Sequence, residues 1–76
     1  MHTTNTHFTF SMKLSKEKYE RFYRGTAQYI IVMTHQGVSV QFPASAMRNY
    51  ITNEGISGTF MITMDENNKL VALKKK

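Results

Sequence analysis

The sequence predicts an α+β fold, a small curved antiparallel sheet of about five strands in the order β-α-β-β-α-β-β with one main helix packed on it. Three observations predict it. The stretch Tyr29-Ile30-Ile31-Val32-Met33 is apolar at every position, and a strand apolar on both faces is normally covered on both, in the middle of a sheet. Its β-branched residues are stiff at χ1 and favour a strand over a buried helix. The flanking runs alternate apolar and polar residues, the sign of half-buried strands. Between the first of these runs and the apolar stretch, Ser15 to Gly25 carries the start and stop signals of a helix.

Taken in order, residues 1–6 are polar and without period, and are expected to be a flexible end. From His7, the side chains of Phe8, Phe10, Met12 and Leu14 fall on one face and those of Thr9, Ser11 and Lys13 on the other. Ser15 is placed to cap the free N–H groups of a first helical turn, with Leu14 and Tyr19 spaced as a hydrophobic staple. The helix is expected over Lys16 to Arg24, with Tyr19, Phe22 and Tyr23 as its inner stripe and Gly25 as its left-handed terminator. The apolar strand follows. Gln36-Gly37 forms a tight turn with positive φ at Gly37, and Val38, Val40 and Phe42 alternate on the return strand until Pro43 stops it. Residues 44–51 have a helical period, and Asn53-Glu54-Gly55 is a turn. A long strand carries Ile56, Phe60, Ile62 and Met64 on one face, with Gly58 marking a bulge or a close backbone approach. Asp65 to Asn68 turns the chain into a last strand over Lys69 to Leu73.

At 76 residues the chain makes one domain, expected over 7–73 with a basic tail at 74–76. It has no cysteine, so neither a disulfide framework nor a thiolate metal site can stabilise it, and this suits the cytoplasm. No secretory signal or membrane-spanning stretch is read from it. Ten Lys and Arg against five Asp and Glu give a net charge of +5, which attracts polyanions. Removing the three terminal lysines from that +5 leaves +2, so much of the excess is terminal.

Several short segments together resemble a known family. They are Phe10-Ser11-Met12-Lys13-Leu14-Ser15, Tyr23-Arg24-Gly25, Val40-Gln41-Phe42-Pro43-Ala44-Ser45, Met47-Arg48, Gly55-Ile56-Ser57-Gly58-Thr59-Phe60 and Asn67-Asn68-Lys69. The family is a set of short uncharacterised proteins of gamma-proteobacteria, a domain of unknown function. The resemblance spans residues 8–73. It implies a bacterial single-domain protein and implies no activity. Asn49 stands where that family's pattern carries proline, a departure that bears on the start of the second helix.

Catalysis is not expected. A nucleophile needs a base and an orienting group in reach. No Ser sits in a G-x-S-x-G setting, and Glu17, Glu20, Glu54, Asp65 and Glu66 fall on solvated turns and helix faces. His35 reads as a turn histidine. His2 and His7 lack partners for a metal site, and the scattered glycines make no phosphate loop. Arg21 and Arg24 are three apart, whereas PilZ-type cyclic-dinucleotide readers need two arginines four apart. No cofactor, metal or small-molecule substrate is expected.

Two function classes remain. The first is a non-catalytic interaction module, homodimeric or binding a protein partner, that works through a sheet edge and a Met/aromatic surface drawn from Met33, Met61 and Met64. The second is a single-stranded nucleic-acid (RNA) binder. Its candidate phosphate contacts are Arg21, Arg24, Arg48, Lys69 and the terminal lysines, and its candidate stacking platforms are Tyr23, Tyr29 and Tyr50. The interaction module leads, because the charge is terminal and the tyrosines fall on faces claimed by the core.

Overall fold

The computed structural model describes residues 5–24 and 29–76, the side chains at 22 and 23 excepted. The element order is β1 (Thr6–Leu14), α1 (Lys16–Arg24), β2 (Tyr29–Met33), β3 (Ser39–Pro43), a 3-10 helix (Ala44–Tyr50), β4 (Ile56–Met64) and β5 (Leu70–Lys75). All pairings are antiparallel. Strands and helices follow the expected order except that the second helix is 3-10 and not α, and the expected α+β class holds.

The single sheet of about five strands does not. The strands form a three-stranded sheet in the order β1-β4-β5 and a separate two-stranded sheet of β2 and β3. β2 is therefore not a central strand. Ile30 and Val32 turn inward, but Tyr29, Ile31 and Met33 lie on a face that no part of the described chain covers. An apolar run on both faces requires one covered face for folding; it does not specify what covers the second.

The core lies between the two sheets. Phe10, Phe42, Phe60, Met47, Ile56 and Ile62 are its largest fully buried side chains. Phe10 stands opposite Phe60 in the β1–β4 ladder, with their rings 5.5 Å apart, and its ring lies 5.7 Å from that of Phe42 on the hairpin. One residue thus joins the two sheets, and aromatic pairs at this spacing add to simple burial.

Ser15 caps α1 as its sequence position predicts. Its hydroxyl accepts from Lys18 N–H at 3.2 Å, and its carbonyl accepts from Tyr19 N–H. Tyr19 is buried and its hydroxyl donates to the Ala44 carbonyl, tying α1 to the start of the 3-10 helix. The expected terminator Gly25 and the rest of the helix's inner stripe, Phe22 and Tyr23, lie outside what is described.

Two glycines and a proline shape the connections. Gly37 has φ +82 in the β2–β3 turn, as its place after Gln36 predicts. Gly55 has φ +105 and packs directly against the Leu14 carbonyl and Lys16 N–H, where a Cβ would collide. Gly58 is not a bulge in the β1–β4 ladder, where it faces Met12 in regular register; the Lys75 side chain crosses it instead. The register shift falls between Thr63 and Met64, on the side facing β5. Pro43 ends β3 opposite Tyr29.

The basic end is not a tail. β5 runs through Lys74 and Lys75, and Lys76 N–H donates to the Thr59 carbonyl at 2.9 Å. At the other end β1 begins at Thr6, inside the stretch expected to be flexible.

Candidate interaction surface

The geometry of the β2–β3 hairpin follows from one hydrogen bond. Thr34 N–H donates to the Val38 carbonyl at 2.9 Å, so this pair faces inward. Antiparallel ladders alternate hydrogen-bonded and non-hydrogen-bonded pairs. With Val32 opposite Val40 and Ile30 opposite Phe42, those two residues of β2 point their backbone groups at β3. Tyr29, Ile31 and Met33 point theirs the other way, to the free edge. His35, next in the alternation, confirms the direction, because its N–H leaves the hairpin and donates to the Thr9 carbonyl of β1 at 2.7 Å. Pro43 fits the same scheme: it sits at a non-hydrogen-bonded position opposite Tyr29, where its missing N–H costs the ladder nothing.

The same three residues carry the exposed apolar face. Tyr29, Ile31 and Met33 are 54%, 67% and 65% exposed. Across from them on β3 stand Pro43, Gln41 and Ser39. The face is apolar along the edge strand and polar one strand in. Among the described residues, no hydrogen bond reaches the outward N–H and C=O groups of Tyr29, Ile31 and Met33.

The other edges are protected. Near Thr9 the open side of β1 is closed by the hairpin tip, with His35 N–H on the Thr9 carbonyl and Thr9 N–H on Gln36 Oε1 at 3.1 Å. β5 carries Lys74 and Lys75, both exposed, and charge blunts an edge. β3 ends in proline. β2 has no such protection: no charge, proline or bulge falls between Tyr29 and Met33.

A second cluster lies on the outer face of the three-stranded sheet. Ser11 Oγ lies 3.1 Å from His35 Nε2 and 3.0 Å from Thr59 Oγ1, while Thr9 Oγ1 lies 3.2 Å from His35 Nδ1. His7 Nδ1 reaches Thr63 Oγ1 at 2.8 Å. Sequence reasoning placed His35 in solvent and missed its hydroxyl partners; the signal was Thr9 and Ser11 alternating on the outward face of β1. Both nitrogens of His35 contact hydroxyls, and among the described residues no carboxylate is bonded to the ring. The His35 bonds are exposed and join the hairpin to β1, whereas the His7–Thr63 pair is part-buried and lies within the three-stranded sheet. Among the described residues no three His, Asp or Glu side chains gather where they could hold a metal ion. No helix there is long and apolar enough to cross a membrane.

Residues 6–76, from the first residue of β1 to the end of the chain, match a family described as "Protein of unknown function (DUF2835)". The chain belongs to the DUF2835 family. No curated protein and no solved structure matches it. The match takes in all five strands of this DUF2835 domain, the exposed face of β2 included.

The residues picked from the sequence as nucleic-acid or partner contacts are carried by α1, the 3-10 helix and the turn before β5. Arg21 and Arg24 are exposed on α1, beside Glu17 and Glu20 on the same stretch of surface. Arg48 is exposed on the 3-10 helix, and Lys69 lies exposed in the turn before β5. Tyr50 is half-buried; its hydroxyl donates to the Leu73 carbonyl at 2.9 Å and its ring packs edge-on to Phe60 at 5.3 Å. It packs against the core from its edge. The Tyr23 side chain lies outside what is described. Tyr29 stands on an exposed face. Of the methionines expected at the surface, Met33 is exposed, Met61 is half-buried and Met64 is buried at 3% exposure. Met64 therefore belongs to the core, turned inward with Phe60 and Ile62 by the alternation of β4.

Proposed function

We propose that this DUF2835 domain is a non-catalytic interaction module that works through the free edge and outer face of β2. One observation carries the reading: Tyr29, Ile31 and Met33 combine more than half-exposed side chains with unpaired edge backbone, on the strand that lacks every edge-protecting device. Adding a strand to such an edge supplies main-chain hydrogen bonds for affinity and side-chain contacts for selectivity. The resemblance of Phe10 to Ser15 and of Gly55 to Phe60 to proteins of gamma-proteobacteria supports a bacterial, cytoplasmic setting. RNA binding ranks second, since Tyr50 is engaged in the core and Arg21 and Arg24 share their surface with two glutamates.

The test compares the full chain with its Ile31→Lys variant, each immobilised and exposed to a bacterial extract and, separately, to labelled polyuridylate. Protein capture, copies of the chain included, is expected to persist from about 50 to 200 mM salt and to be lost in Ile31→Lys. Identical capture by both forms overturns the proposal. So does polyuridylate binding that falls steeply over that salt range, the mark of phosphate contacts.

A further inference from the structure

We infer that the strand which completes the β2 edge comes from a second copy of this chain, paired antiparallel about a two-fold axis through Ile31. The inference rests on the interaction reading above and names its partner.

The first argument is register. The outward-pointing residues of β2 are Tyr29, Ile31 and Met33, evenly spaced about the middle of a five-residue strand. A two-fold axis at Ile31 pairs Ile31 with itself and Tyr29 with the Met33 of the other copy. All three are then hydrogen-bonded positions of an antiparallel ladder, so each outward N–H and C=O finds a partner. The side chains meet on one face as Ile on Ile and Met on Tyr, and thioether sulfur against an aromatic ring is a favourable contact. A two-fold contact must be self-complementary, and this strand is.

The second argument is charge. The chain carries a net +5, which opposes bringing two copies together. No Asp, Glu, Lys or Arg stands between Arg24 and Arg48, the stretch that contains the whole hairpin. Pairing through β2 therefore joins like-charged molecules at their uncharged part. An acidic partner would instead find its complement outside the hairpin, on surfaces such as β5 and α1 that carry exposed cations.

The third is area. Three side chains exposed to this degree offer on the order of 350 Å² per copy, under half of the roughly 800 Å² per partner in a standard stable interface. Association is thus weak and set by concentration. The joined hairpins form a four-stranded sheet continuous across the axis.

The experiment uses sedimentation of the full chain and disulfide trapping of cysteine variants, for which the cysteine-free sequence is a clean background. From about 10 µM to 1 mM, the mass is expected to rise from 8.8 kDa toward twice that value, and to stay at the monomer value in Ile31→Lys. Under mild oxidation Ile31→Cys is expected to cross-link at least about tenfold faster than Gln41→Cys. A hydrogen-bonded pair holds its Cα atoms about 5.5 Å apart, within disulfide reach, whereas Gln41 sits on the same face one strand from the axis. Both sites are exposed, so each variant keeps the core intact. A chain that stays monomeric to 1 mM, or equal trapping at the two positions, overturns the inference. If that chain nonetheless captures another protein in a manner lost with Ile31→Lys, the interaction reading stands and only the second copy is excluded. If capture is also indifferent to Ile31→Lys, both fall.

Discussion

The two sheets of this domain use similar residues to opposite ends. In the β1-β4-β5 sheet the apolar face closes over Phe10, Phe60 and Ile62, all fully buried, and the outward face carries hydroxyls and histidines bonded to one another. In the β2–β3 sheet Ile30, Val40 and Phe42 are as well buried as their counterparts, yet the outward face of β2 is as apolar as its inward one. The inward faces hold the domain together. The hairpin adds an outward face on which three large apolar side chains, Tyr29, Ile31 and Met33, stand exposed together.

That difference can be broken by mutation, starting with the largest effect. Phe60→Ala removes a ring packed against both Phe10 and Tyr50. It is expected to cost about 3–5 kcal/mol in a urea titration, comparable to the whole stability of a domain this size. Gly55→Ala follows, at about 3 kcal/mol or more, because φ is +105 and the new methyl meets the backbone at Leu14 and Lys16. Gly37→Ala in the hairpin turn has φ +82 but open space around it, and is expected to cost only about 1 kcal/mol. Equal losses at the two glycines would mean that the hairpin tip is held as tightly as the base of the large sheet. Ile31→Thr comes last: it keeps a β-branched residue on an exposed site, and its unfolding free energy is expected to match the parent within about 0.5 kcal/mol. A larger loss at low protein concentration would show that the outer face of β2 is needed by the monomer itself.

Most of the fold was legible. The alternation of Phe8 to Leu14 and of Phe60 to Met64, the cap at Ser15 and the turn at Gly37 each depend on a local rule, and each stands where the sequence put it. What the sequence did not give up was partition. Nothing in Tyr29 to Met33 distinguishes a strand flanked by two others from a strand whose second neighbour is missing, because both bury one face and leave the other apolar. The site residues were less legible for a related reason. Arginine and tyrosine were ranked by side-chain chemistry, but whether Tyr50 stacks on a ligand or on Phe60 depends on contacts 10 positions away in sequence, across a turn and into another strand. Met64 was misplaced because one face of β4 is covered along its whole length, which its composition alone does not declare.

The ladder between β1 and β4 also sets the order in which this chain can fold. Its contacts join residues as far as 58 positions apart, as between Thr6 and Met64, whereas the Thr34–Val38 contact spans 4. Closing the longer loop costs about 2 kcal/mol more in chain entropy, so β1 is expected to join β4 after the local hairpins at Thr34–Val38 and Asp65–Lys69 have formed. We expect stopped-flow kinetics to show Gly37→Ala slowing refolding and Phe10→Leu chiefly speeding unfolding. While β1 waits for β4, the nascent hairpin presents both of its faces to solvent, and a crowded synthesis of this protein is then a race between sheet closure and aggregation.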